Sequence, residues 1–168
     1  MDKSLFAEQV LSAEKQLYGT AKSILDNEAD CADAVQNAIV KAYAKLHTLK
    51  KEEFFKTWLT RILINECYQI QRKKMREIPQ DPQEGFSDIY EGNSIGKSGV
   101  GNLWKGPAHS EIYDSLMQLK DSYRLPVVLH YVEGYSVKET ADILKLSENA
   151  VKQRLLRGRR ELRELLES

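Results

Sequence analysis

The amino-acid sequence predicts an all-α protein of two small helical domains joined by a flexible linker. Three observations carry this. Apolar residues recur at spacings of three and four in two blocks, 1–77 and 111–168. No run alternates with period two for long enough to make a strand. Between the blocks, the stretch 78–110 is rich in Gly, Ser, Pro and Asp and has no helical period. A structureless run of that length is foreign to one compact domain and reads as an interdomain linker, mobile where Gly and Ser dominate. The 168 residues are enough for two small domains, and a hydrophobic content of 42% supplies cores for them.

In the first block, Leu5, Val10, Leu17, Ala21, Ile24 and Leu25 mark a first helix or helix pair, broken at Asp26-Asn27-Glu28. Cys31, Val35, Ala38, Ile39, Ala42 and Leu46 form the buried stripe of a second helix. A third begins near Glu52, with Phe55, Trp58, Leu59, Ile62, Leu63 and Ile70 on its apolar face and Phe54 read as core beside them. In the second block, Leu116, Leu119, Tyr123, Val127, Val128 and Tyr131 precede Gly134, which ends a helix as a C-cap glycine does. Ser136-Val137-Lys138-Glu139 is a capping box that opens a short helix to about Leu144. Ser147 caps a last, long helix to about Leu166.

That final segment, SVKETADILKLSENAVKQRLLRGRR, has the layout of a helix-turn-helix. Ala141 permits close helix approach, Leu146 lies in the turn, and Val151, Leu155, Gly158, Leu162 and Leu165 share one face. The other face carries Asn149, Lys152, Gln153, Arg157 and Arg160. Amides and guanidinium groups suit base edges, and Lys and Arg suit phosphates.

Formal net charge is zero, yet its distribution favours nucleic acid. Lys145 to Arg163 holds seven bases against two acids, a local charge of +5. A second basic cluster is Arg72-Lys73-Lys74-Met75-Arg76, and residues 77–110 are acidic by three charges. No stretch approaches the ~20 apolar residues of a membrane span, and the start, Met1-Asp2-Lys3-Ser4-Leu5, lacks a secretory apolar run. Cys31 and Cys67 are far apart and read as reduced, buried thiols of a cytoplasmic protein. His47, His109 and His130 are scattered, and His130 reads as a packed structural residue. No nucleophile–base pair or metal cluster emerges, so neither an enzyme nor a cofactor is expected.

Two further faces hold candidate binding residues. Arg61, Asn65, Tyr68 and Arg72 lie opposite the buried face of the third helix and lead into Lys73 and Arg76. Basic groups with an interleaved aromatic suit unstacked bases, although composition alone equally fits a solvated polar face. On the second helix Asp33, Gln36, Asn37, Val40 and Lys41 face outward, as a protein-docking surface or as plain surface.

At these residues the chain resembles the extracytoplasmic-function sigma factors of bacterial RNA polymerase. Asp30-Cys31-Ala32-Asp33-Ala34-Val35-Gln36-Asn37 with Lys41-Ala42-Tyr43 is similar to their core-polymerase-binding segment. Phe55-Lys56-Thr57-Trp58-Leu59-Thr60-Arg61-Ile62, with Asn65 and Arg72-Lys73, resembles the segment that melts and reads the minus-ten element. Tyr123-Arg124 through Tyr131, Glu133-Gly134-Tyr135-Ser136, Glu139-Thr140-Ala141 and Val151-Lys152-Gln153-Arg154-Leu155 resemble the region that reads the minus-thirty-five element.

The resemblance implies a region 2 domain over 1–77, a linker over 78–110 and a region 4 domain over 111–168. It implies that Asp33, Gln36, Asn37 and Lys41 bind core polymerase. Arg61, Asn65, Tyr68, Arg72, Lys73 and Arg76 would meet minus-ten DNA, with the loop His47 to Lys51 holding an unstacked base. Ser147, Asn149, Lys152, Gln153, Arg154, Arg157 and Arg160 would meet the minus-thirty-five duplex. The implied partners are core RNA polymerase, promoter DNA and an anti-sigma factor, with the free chain a monomer. Four positions depart from the family: Asn37 stands for an acid, Gln69 for an acid, Lys120 for a proline and Lys145 for the turn glycine. The rival reading is a stand-alone helix-turn-helix repressor whose N-terminal helices bind a ligand or dimerise. It leaves the Asn65–Arg76 face unexplained.

Overall fold

The computed structural model describes residues 1–77 and 107–167, which hold helices and turns and no strand. Helix α1 spans Lys3–Lys22, α2 Glu28–Ala44 and α3 Phe55–Glu77, with short 3-10 turns at Leu46–Thr48 and Glu52–Phe54. Helices α4 (Pro107–Gln118) and α5 (Asp121–Val127) follow, the latter running into a π turn over Val128–Val132. Helices α6 (Val137–Leu144) and α7 (Glu148–Glu167) complete the chain. Most of the linker expected over 78–110 lies outside the described residues, but its last residues are helical, since α4 opens at Pro107. Proline fits there because the first turn needs no N–H donor.

Local signals place the helix ends. Asp2 accepts from Leu5 N at the start of α1, and Asn27 from Asp30 N at the start of α2, each satisfying an orphan donor. The capping box of α6 closes in both directions, Glu139 N to Ser136 Oγ at 3.0 Å and Ser136 N to Glu139 Oε1 at 2.9 Å. Ser147 Oγ accepts from Ala150 N at 3.1 Å and starts α7. Gly134 takes φ +83°, as the end of the preceding helix requires.

Helices α1, α2 and α3 share a core of Leu17, Ala34, Val35, Leu59 and Leu63, with Phe6 edge-on to Phe55. The C-terminal helices have their own smaller core: Leu116, Leu119, Val127, Ala141, Val151 and Leu155. Both cysteines are free and buried, and burial pushes the Cys31 thiol up to about 12. His130 is half-buried with Nδ1 2.7 Å from the Tyr135 carbonyl, a structural role. Phe54 departs from expectation. It is half exposed, because the 3-10 turn swings it away while Phe55 enters the core.

The C-terminal helices also pack on the N-terminal three. Leu125, Leu129, Tyr135 and Ile143 are buried in the core of the N-terminal helices, not in their own. Arg124 is the largest fully buried side chain. Its guanidinium donates to the carbonyls of Leu116, Met117 and Leu119, satisfying the end of α4. It also donates to the Ser23 carbonyl beyond α1 at 3.0 Å, and the Asp121 carboxylate lies 3.1 Å away. Lys22 is equally buried, its ammonium 5.3 Å from the centre of the Tyr113 ring. Desolvation lowers its pKa against the opposing pull of Glu28 and Cys31.

Candidate nucleic-acid interface

Helix α7 is two-sided, although Leu156 is exposed and Leu162 and Leu165 are half-buried. Val151, Leu155 and Gly158 are buried, and Asn149, Lys152, Gln153, Arg157 and Arg160 are exposed. A Cβ at 158 would sit 2.7 Å from Val127 Cγ2 and 3.4 Å from Tyr123 Cβ, so Gly158 lets α7 lie close against α5 without displacing the Val127 side chain. Five polar or cationic side chains are thereby presented in one row by a rigid helix. Arg154 stands apart from this row. It is half-buried on the flank toward α5, with Nη1 3.5 Å from the Ser122 carbonyl. The Ser147 hydroxyl is engaged in the cap.

The helix-turn-helix turn carries a strained residue. Lys145 takes φ 57° and ψ 45°, the left-handed region, and is alone among non-glycine described residues in having positive φ. Its N–H closes α6 on the Ala141 carbonyl. The geometry meets the glycine preference of this turn, with a lysine in place of the glycine.

On α3 the expected face is only partly open. Asn65, Lys73 and Arg76 are exposed, whereas Arg61, Tyr68 and Arg72 are half-buried. The stripe does not simply oppose the core, because the C-terminal helices cover part of it. Arg61 Nη2 donates to the Asp142 carbonyl on α6. Arg61, Asn65 and Tyr68 share one cleft of about 290 Å3 with Lys145 and Arg154 from the other half. Lys74, in the same basic cluster, is paired with Asp30 of α2. The loop before α3 presents His47, Thr48, Lys50 and Lys51 to solvent.

On α2, Asp33, Gln36 and Asn37 are exposed beside Val40, which is 68% exposed, and Tyr43. Lys41 is held differently. Its ammonium sits 2.6 Å from the buried Glu66 carboxylate of α3, so it ties two helices together. Sequence reading missed Glu66, a polar position inside an apolar stripe, and nothing in its spacing marks it as Lys41's partner. Among the described residues no group of acidic, His or Cys side chains is arranged to hold a metal, and no helix is long and apolar enough to cross a membrane.

Comparison with known proteins matches both halves in the same order. Residues 10–77 match the Sigma-70 region 2 family and residues 109–162 match Sigma-70, region 4. The extracytoplasmic-function RNA polymerase sigma factor SigW of Bacillus subtilis is 29% identical, over 98% of this chain and 90% of its own length. SigM of Mycobacterium tuberculosis is 26% identical, over 98% of this chain and 79% of its own. Among solved structures, the sigma factor RpoE in complex with the anti-sigma factor NepR, from Bartonella quintana, superposes with a TM-score of 0.73 at 24% identity, covering 96% of each chain. CnrH in complex with the cytosolic domain of CnrY gives 0.69 at 25% identity, over 99% of this chain and 90% of that one. Two sigma-70 modules in family order, over residues 10–77 and 109–162, and extracytoplasmic-function relatives aligned along 98% of the chain place this protein among the extracytoplasmic-function sigma factors of RNA polymerase.

Proposed function

We propose that the chain binds core RNA polymerase, brings it to a small set of promoters and helps open the minus-ten region. The observation that carries this is the division of α7 into an apolar face buried at Val151, Leu155 and Gly158 and a face of Asn149, Lys152, Gln153, Arg157 and Arg160. Amides and guanidinium groups held on a rigid helix are equipped to read major-groove edges and hold phosphates of the minus-thirty-five element. On α3, exposed Asn65 is the minus-ten reader, its amide able both to donate and to accept. Arg61, Tyr68 and Arg72 flank it, and Lys73 and Arg76 continue the basic track. The exposed Asp33, Gln36 and Asn37 of α2 form the polymerase-docking face, with Lys41 in a structural role behind them.

The chain itself performs no chemistry; phosphoryl transfer belongs to the polymerase. It works in the cytoplasm as a 1–77 domain and a 111–168 domain on a linker, monomeric when free. An anti-sigma protein restrains it, by analogy with the partners named for RpoE and CnrH.

Co-purification with core polymerase followed by run-off transcription tests the reading. The chain is expected to direct specific transcripts only with polymerase. A repressor would bind promoter duplex alone and yield no transcript. Asp33→Lys with Gln36→Ala should abolish the polymerase complex while leaving thermal unfolding unchanged, since both side chains point outward. Arg157→Ala should lower the salt slope of upstream-element binding by about one unit, the signature of one lost phosphate contact.

A further inference from the structure

The cleft of about 290 Å3 between α3 and the C-terminal helices has two kinds of wall. One is apolar and comes from Ile64 of α3, Leu125 and Pro126 of α5 and Ile143 of α6. Ile64, Leu125 and Ile143 are each at most 5% exposed, so this wall is close-packed core and not mobile surface. The other is cationic. Arg61 of α3, Lys145 of the turn and Arg154 of α7 line the cleft, each brought from a different element. Asp121 is the only acid among the lining residues, and its carboxylate is already 3.1 Å from the buried Arg124 guanidinium.

These cations keep donors in reserve. Arg61 Nη2 donates to the Asp142 carbonyl, but its Nε is buried and has no acceptor among the described residues. Arg154 makes one long contact, 3.5 Å to the Ser122 carbonyl. Lys145 is exposed. Like charges gathered at one small space repel each other. An anion placed among them relieves that repulsion and gives the buried Nε an acceptor, and arginine pairs suit the several oxygens of a phosphate. The apolar wall calls for a second, uncharged part of the same ligand. Asn65 and Tyr68 line this cleft too, and supply an amide that both donates and accepts and an aromatic ring.

We propose that this cleft binds a free nucleoside monophosphate, its phosphate held by Arg61, Lys145 and Arg154 and its base laid against Ile64, Leu125 and Ile143. A cleft of this volume stands at the small end of ligand sites and takes one nucleotide, not a strand. Inorganic phosphate would leave the apolar wall unused, and an uncharged nucleoside would leave the cations unmatched. Reading of the base by Asn65 and Tyr68 rests on the minus-ten assignment above; the apolar wall and the charge of the cleft do not. An occupied cleft withholds Asn65 from promoter DNA.

Equilibrium dialysis of the full chain tests this with the nucleoside 5′-monophosphates, the matching nucleosides, inorganic phosphate and benzoate as probes. At least one monophosphate is expected to saturate a single site with a dissociation constant between about 10 µM and 1 mM, as suits a ligand of this size. Nucleoside, inorganic phosphate and benzoate should each bind at least tenfold more weakly. Lys145→Gln should weaken the nucleotide by roughly tenfold, the loss of one charged contact, and Lys145→Arg should restore it. The side chain is exposed, so both variants keep the fold. Ser122→Trp, at an exposed position in the lining, should block binding by filling the cleft. Asn65→Ala should bind the monophosphates with less preference among bases. No saturable binding at about 1 mM, or inorganic phosphate binding as tightly as the nucleotide, overturns the proposal. Equal affinity for benzoate overturns the phosphate, and unchanged affinity in Ser122→Trp and Lys145→Gln overturns the location. A chain that binds the nucleotide yet never associates with core polymerase would sink the sigma-factor reading and leave the site standing.

Discussion

At the residue scale, Lys145 and Asn65 show opposite kinds of constraint. Lys145 holds a left-handed backbone that a Cβ disfavours, so its side chain works against the fold there. Lys145→Gly should raise stability by about 1 kcal/mol, read from the urea midpoint at unchanged slope. A decrease would mean that the lysine side chain contributes more than the strain removes. Asn65 is free of packing duties because it is exposed on the first half of α3. Asn65→Ala should leave stability unchanged and lose ~1–3 kcal/mol of discrimination at one minus-ten base. Transcription from promoters varied at each minus-ten position measures this, and an unaltered base preference would move the reading role to the His47–Lys51 loop.

At the element scale, α7 is positioned by a glycine and α4 by an arginine. Gly158 lets α7 approach α5 until only 2.7 Å would separate a new Cβ from Val127 Cγ2. Gly158→Ala improves helix propensity yet should destabilise the C-terminal half by about 1–3 kcal/mol, since overpacking outweighs the gain. Thermal unfolding checks the sign, and binding of the upstream promoter element should weaken with it. Arg124 closes the end of α4 with bonds to three carbonyls. Pro126 follows it inside α5, where the ring supplies no N–H, and the chain relaxes into the π turn over Val128–Val132. These two adjustments turn Leu125 and Leu129 toward α1 and α3 while Val127 faces α7.

At the scale of the molecule, the contact between the two halves should respond to pH through Glu133. Burial raises its carboxyl from 4.5 to about 7, against the lowering effect of Lys15 on α1. Lys15 of α1 acts on the carboxyl and its neighbour Gln16 donates to the Glu133 carbonyl, so Glu133 lies where the two halves meet. Separation returns the carboxyl toward its ordinary value. With the halves in contact the carboxyl therefore holds a proton that it releases between the two values once they separate. The contact is favoured at low pH, weakens as pH rises from 4.5 to about 7, and changes little above that. Scattering of the free chain should give a radius of gyration that grows over this range, and Glu133→Gln should flatten the response. A response that persists in Glu133→Gln would assign the titration to another group.

Helix identity, caps and the two-sided α7 were legible in the sequence because they depend on near neighbours. Ser136 with Glu139, Ser147 with Ala150, and the spacing from Val151 to Gly158 are local geometry, fixed by 3.6 residues per turn. The tertiary structure alone decided which polar residues go inside. Arg124, Lys22, Thr60 and Glu66 are ordinary surface types, and their burial depends on partners far along the chain, Ser23 for Arg124 and Tyr135 for Thr60. It also decided that the Arg61–Arg72 face is half covered and that Lys41 faces Glu66. Helical periodicity reports which face of a helix is apolar, but not which distant element lies across from it. That pairing is set by long-range packing between segments whose separation in sequence leaves no periodic trace.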